Sequence, residues 1–120
     1  MSQDTVKNKS FKFAIRIVKL YQFLVKDKKE YVLSKQLLRS GTSVGANIRE
    51  AEHSESKKDF IHKMAIAQKE INESLYWLEL LKETGYLNPN QFTNINNDAI
   101  ELIKMLTSII KTTKRNITNN

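Results

Sequence analysis

A chain of 120 residues with three glycines, one proline and no cysteine is long enough for one hydrophobic core and has too few turn residues for many short strands. The missing thiols exclude disulfides, thiolate metal sites and a cysteine nucleophile. Neither the polar opening MSQDTVKNKSF nor any later stretch supplies a signal-peptide core or the ~20 apolar residues of a membrane span, so a soluble, cytoplasmic, all-α protein is expected.

The first helix is predicted over about residues 11–28, capped by Ser10. Phe13, Ile17, Leu20 and Leu24 recur at spacings of four, three and four, which gives it a core face. Ala14, Val18, Tyr21 and Val25 form a second apolar strip beside that face, wider than one contact requires. The second helix, about 35–54, buries Leu37, Gly41, Val44, Ile48 and Ala51. Gly41 and Gly45 each cost a helix about 1 kcal/mol against Ala, so they point to close approach of a neighbouring helix or to a break in RSGTSVGAN.

Ser56 and Asp59 form a capping box for the third helix, about 57–84. A repeat of Phe60, Met64, Ala67, Ile71, Ser74, Leu78 and Leu81 runs to Gly85, along a rod of roughly 42 Å. Asn88 and Pro89 open the fourth helix, about 89–113, with Phe92, Ile95, Ala99, Leu102, Leu106 and Ile109 inward. The polar tail KTTKRNITNN is expected to fray. Four amphipathic helices on short links predict an antiparallel up-down-up-down four-helix bundle spanning residues 1–120 as one domain.

Apolar surface is left over when the four core faces meet. Ile66, Trp77 and Leu80 fall about 100° to 160° from the core line of the third helix. With Tyr21 and Val25 of the first helix they nominate an interface between copies of the chain; the alternative is that each helix is simply flanked by two neighbours.

Charge is as uneven as hydrophobicity. The chain carries +7, with eight basic and three acidic residues in 1–30, eight of each in 31–87, and four against two in 88–120. On the first helix Lys12, Arg16, Lys19 and Lys26 share a stripe within about 80°, with Phe23 beside it. Antiparallel packing should bring Lys111, Lys114 and Arg115 near Lys7, Lys9 and Lys12. Such a field attracts phosphates, and Phe23 can stack on an exposed base or serve an interface. A solvated helix face, or a coding bias towards A and T, would produce similar charge.

Catalysis and metals find less support. Glu50-x-x-His53 and Asp59-x-x-His62 have the spacing of a di-metal carboxylate site, but their angles turn them outward and both histidines flank one turn. No nucleophile stands with a base and an orienting acid, and GxxxxGK[ST] is absent. No catalytic residue, cofactor or metal ligand is assigned.

The stretch Leu37–Leu87, with Arg39-Ser40, Ser43, Ala46-Asn47-Ile48, Glu50, Ser56, Phe60, Ala65-Ile66-Ala67, Glu70, Glu73 and Gly85-Tyr86, resembles the bacterial four-helix-bundle proteins encoded in intervening sequences of 23S rRNA genes. The aromatic-rich first helix extends the likeness over most of residues 11–106. The resemblance implies a homopentamer without enzymatic activity. It also brings in the basic accessory protein of diversity-generating retroelements, which binds nucleic acid and a reverse transcriptase. The expected function is a homo-oligomeric nucleic-acid-binding protein, contacting RNA more than DNA through phosphates. A protein-interaction scaffold is the second reading, and membrane-surface binding a weaker third, since the apolar arc of the first helix is needed in the core.

Overall fold

The structure, a computed structural model, describes residues 5–118. Four helices follow one another: α1 Val6–Lys26, α2 Leu33–Ala51, α3 Lys57–Glu83 and α4 Pro89–Thr118. Each packs against its sequence neighbours and α4 closes against α1, so α1 and α3 face each other diagonally, as do α2 and α4. Cross-helix contacts run in opposite senses at every seam: Ile17 meets Gly41 and Ser10 meets Gly45, Gln68 bonds Thr107, and Lys82 covers Phe92. The result is an antiparallel bundle, 53 × 29 × 23 Å.

The core follows the expected repeats. Phe13, Ile17 and Leu24 of α1, the whole set from Leu37 to Ala51 on α2, and Met64 to Leu81 on α3 are buried, while Leu20 and Phe60 are half-buried at its edge. On α4 the last inward residue is Ile110, with Ile109 only half-buried. The i+4 step from Leu106 keeps the stripe on the core where the expected i+3 step drifts off it.

Helix ends differ from the sequence reading in three places. α1 starts at Val6 because the Thr5 hydroxyl accepts the Asn8 amide at 3.1 Å. Ser10 is not a cap; it is buried inside the helix, donating to the Lys7 carbonyl at 2.9 Å and facing Gly45. α2 ends at Ala51, where the amides of Glu52, His53 and Ser54 tighten into i→i−3 bonds, as last turns often do. α4 runs five residues past the expected end and does not fray before Thr118. No glycine or proline stops it, and the Thr113 and Thr118 hydroxyls bond carbonyls one turn back; Asn119 and Asn120 lie outside the described residues.

Two N-termini behave as read. Ser56 accepts the Asp59 amide, with Asp59 reaching back to the Glu55 amide. Asn88 and Gln91 exchange amide bonds at 2.8 and 3.0 Å. The α1–α2 link turns through Lys29, at φ 56°, while the Glu30 amide bonds the Leu24 carbonyl at 3.0 Å. A left-handed residue there is the usual helix stop, and a side chain in that region costs about 1–2 kcal/mol. Lys29→Gly is accordingly expected to stabilise the chain by about 1 kcal/mol, read as a higher urea midpoint at unchanged slope.

The two helical glycines are continuous with α2, without a break. A Cβ on Gly41 would sit 2.8 Å from Ile17 Cγ1, so this is a point of close helix approach. Among the described residues no helix is long and apolar enough to cross a membrane.

Candidate nucleic-acid interface

The charge asymmetry becomes spatial in the bundle. α1 carries six basic residues and no acidic one, and α4 four basic and two acidic; α2 and α3 together hold eight and six. Because α4 packs on α1, one side of the molecule holds ten cationic side chains against two carboxylates.

Several nominated cations are already partnered. Arg16 pairs with Asp98 and its guanidinium also approaches the Asn94 carbonyl at 3.5 Å; Lys9 pairs with Glu101. Lys12 lines the same small groove, of about 190 Å³, as these pairs. Lys7 reaches across to Glu52 at 3.2 Å. These exposed pairs are each worth about 0–1 kcal/mol and leave less field for a phosphate. Lys19, Lys26, Lys111, Lys114 and Arg115 have no ion pair among the described residues. At the open end, Ile109 shares a recess with Thr5, Val6 and Lys7. Lys111, Lys114 and Arg115 therefore lie at or beyond the level of Thr5, nearest Lys7, while Lys12 stands further along, beside Asp98 and Glu101.

The seam between α1 and α4 is the loosest of the four. Further along it opens into a groove of about 390 Å³, lined by Arg16, Lys19 and Phe23 on one side and Gln91 and Asn94 on the other. Lys28 Nζ lies 5.9 Å from the Phe23 ring centroid.

Nominated interface residues Tyr21, Val25, Ile66, Trp77 and Leu80 are all half-buried. Trp77 packs on the core and its indole N–H donates to Glu73 at 3.1 Å. The large apolar groups that do face out are different ones: Phe11 at 51%, Ile15 at 40% and Val18 at 37% on α1, Tyr76 at 59% on α3, Ile100 at 38% on α4, and Tyr31 and Val32, at 56% and 70%, in the α1–α2 link. Of these only Val18 belongs to the strip read from sequence. Phe11 and Ile15 continue that strip around the helix, and the signal was present: outside its basic stripe, α1 is apolar almost all round.

Two of the five motif residues, Arg39 and Ser40, tie α2 to α3. Arg39 bridges Glu70, at 3.4 Å, and Glu73, the carboxylate that also holds Trp77. The buried hydroxyls of Ser40 and Ser74 are 2.8 Å apart. Ser43 donates to the Arg39 carbonyl and Asn47 to that of Ser43, while Glu50 is exposed, as are His53 and His62. Among the described residues no group of three His, Asp or Glu is placed to hold a metal.

A family model for 23S rRNA-intervening sequence proteins matches residues 3–108. The chain belongs to that family. A solved structure of a protein with unknown function from the S23 ribosomal protein family, from Bacteroides thetaiotaomicron VPI-5482, superposes with TM-score 0.88 at 61% identity, covering 89% of this chain and 99% of that one. Among curated proteins none matches. The match to the 23S rRNA-intervening sequence family takes in α1, α2, α3 and α4 as far as residue 108, so Arg39, Glu70 and Glu73 lie within the matched span.

Proposed function

We propose that this member of the family is a non-enzymatic, cytoplasmic protein that self-associates as a pentamer and binds nucleic acid, RNA in preference to DNA, through phosphates. The observation that supports this is the one-sided charge: ten cations against two carboxylates on the α1–α4 side, with Lys19, Lys26, Lys111, Lys114 and Arg115 outside any ion pair among the described residues. Positive fields of this kind hold polyanions by releasing counterions. The exposed Phe11, Ile15 and Val18 supply apolar surface for another copy, and a closed ring would repeat the basic side around one axis.

The test is electrophoretic mobility with RNA and DNA at rising salt. If about four phosphates are neutralised, raising salt from 50 to 200 mM should weaken binding roughly 50- to 150-fold. Changing Lys111, Lys114 and Arg115 to Glu should weaken it at every salt concentration, and absence of binding at low salt would sink the proposal.

A scaffold or accessory-subunit role, including one for a reverse transcriptase, has its own supporting feature. Tyr76 is exposed beside Leu80, Glu79 and Glu83, in an acidic recess of about 210 Å³ on α3. A pull-down lost on Tyr76→Ala but kept when the α1 lysines are reversed would favour it.

A further inference from the structure

We infer that the groove between α1 and α4 at the level of Phe23 takes an unpaired nucleotide of a single-stranded RNA segment, with its base against the Phe23 ring and its phosphate on Lys19. The inference rests on the nucleic-acid reading above and narrows it from a charged side to one recess.

Three independent features converge there. First, Lys19, Phe23 and Lys26 are spaced by four and three, so they share one face of α1. Both lysines lack an ion pair among the described residues, whereas Lys7, Lys9 and Arg16 on the same helix each have one. Lys28 Nζ stands over the Phe23 ring, 5.9 Å from its centroid, and adds positive charge beside it. Second, the groove is a shallow, open one that a strand can enter from solvent. Its volume of about 390 Å³ lies within the roughly 300–1,000 Å³ of small-ligand sites, and Leu20, Phe23 and Ile95 give it apolar surface.

Third, the opposite wall presents carboxamides. Gln91 uses its Oε1 to accept the Asn88 amide at 3.0 Å, which leaves its NH₂ to donate. The Asn94 side chain has no hydrogen bond among the described residues. Carboxamides match the donor and acceptor edges of bases, and an aromatic face with nearby cations suits stacking on a strand. A base within a duplex has both faces stacked and its pairing edge used, so only an unpaired one can enter. No carboxylate lines the groove, which fits an anionic occupant.

The test measures filter binding of the full chain at low salt to a single-stranded RNA, to the same strand with abasic sites, to a duplex of equal phosphate count, and to free AMP. The base-bearing strand should bind roughly five- to 150-fold more tightly than the abasic one. That preference should vanish in Phe23→Leu and fall severalfold in Asn94→Ala, with abasic binding unchanged in both. Asn94 is exposed, so its variant carries the test even if Phe23→Leu unfolds. Equal binding of base-bearing and abasic strands would overturn the inference while leaving the phosphate reading intact. Free AMP bound as tightly as the strand would replace RNA by a free nucleotide as occupant, and no binding to any RNA would overturn both readings.

Discussion

Glu30→Ala should lower the stability of the bundle by about 3 kcal/mol, more than any exposed charge change. Glu30 is only 6% exposed, and its carboxylate accepts the amides of Val32, Leu33 and Ser34 at 2.8, 2.6 and 3.0 Å. Those are the donors a helix start leaves unsatisfied, and the Val32 position provides no side-chain cap of its own. Hydrogen bonds to an ionised group contribute about 1.5–3 kcal/mol each, and the positive end of the helix dipole adds a few tenths to about 1. Water entering the vacated space offsets part of the sum. Glu30→Gln keeps one acceptor oxygen and should cost about half as much. Urea unfolding followed by circular dichroism measures both; a loss under about 1 kcal/mol for Glu30→Ala would show that the carboxylate is not what starts α2.

Gly41→Val should cost a similar amount, about 3 kcal/mol, for a steric reason. Its Cβ would stand 2.8 and 2.9 Å from Ile17 Cγ1 and Cγ2, and Ile17 is fully buried with no room to turn away. Overpacking of a filled core costs about 1–3 kcal/mol, and a β-branched residue recovers little of what glycine loses in a helix. Gly45 provides the contrast. A Cβ there meets Ser10 Oγ at 3.4 Å, an ordinary contact, so Gly45→Ala should be stabilising by up to about 1 kcal/mol. Opposite signs at two glycines four residues apart are the outcome to look for, again from urea midpoints. Gly41→Val no worse than Gly45→Ala would mean the α1–α2 contact is soft.

Periodicity made the four helices legible, because a 3.6-residue repeat survives in the sequence whatever the helices pack against. Ser56 and Asn88 were legible as caps for the same reason: their bonds are local. Glu30 was not, since its carboxylate lies outside the helix whose amides it satisfies and glutamate is an uncommon choice for the task. Thr5 was hidden by the polar run KNKS, which has little apolar rhythm to mark a helix.

The candidate site shows the same boundary between local and distant. The stripe from Lys12 to Lys26 is a property of one helix and could be read directly. Which cations of α1 are neutralised depends on Asp98, 82 residues from Arg16, and Glu101, 92 from Lys9, and no spacing rule reaches that far. The angle of Trp77 on α3 is legible in the sequence, whereas its bond to Glu73 and its packing on the core depend on how the helices meet.

Trp77 is the chain's single tryptophan, and its bond to Glu73 ties it to the α2–α3 seam, on the opposite side of the bundle from the α1–α4 groove. The protein therefore carries a built-in optical probe. Its emission follows the Arg39–Glu73 lock as the bundle melts, and an RNA strand that binds the folded chain beside Phe23 is read in the same cuvette as a shift of that melt to higher urea.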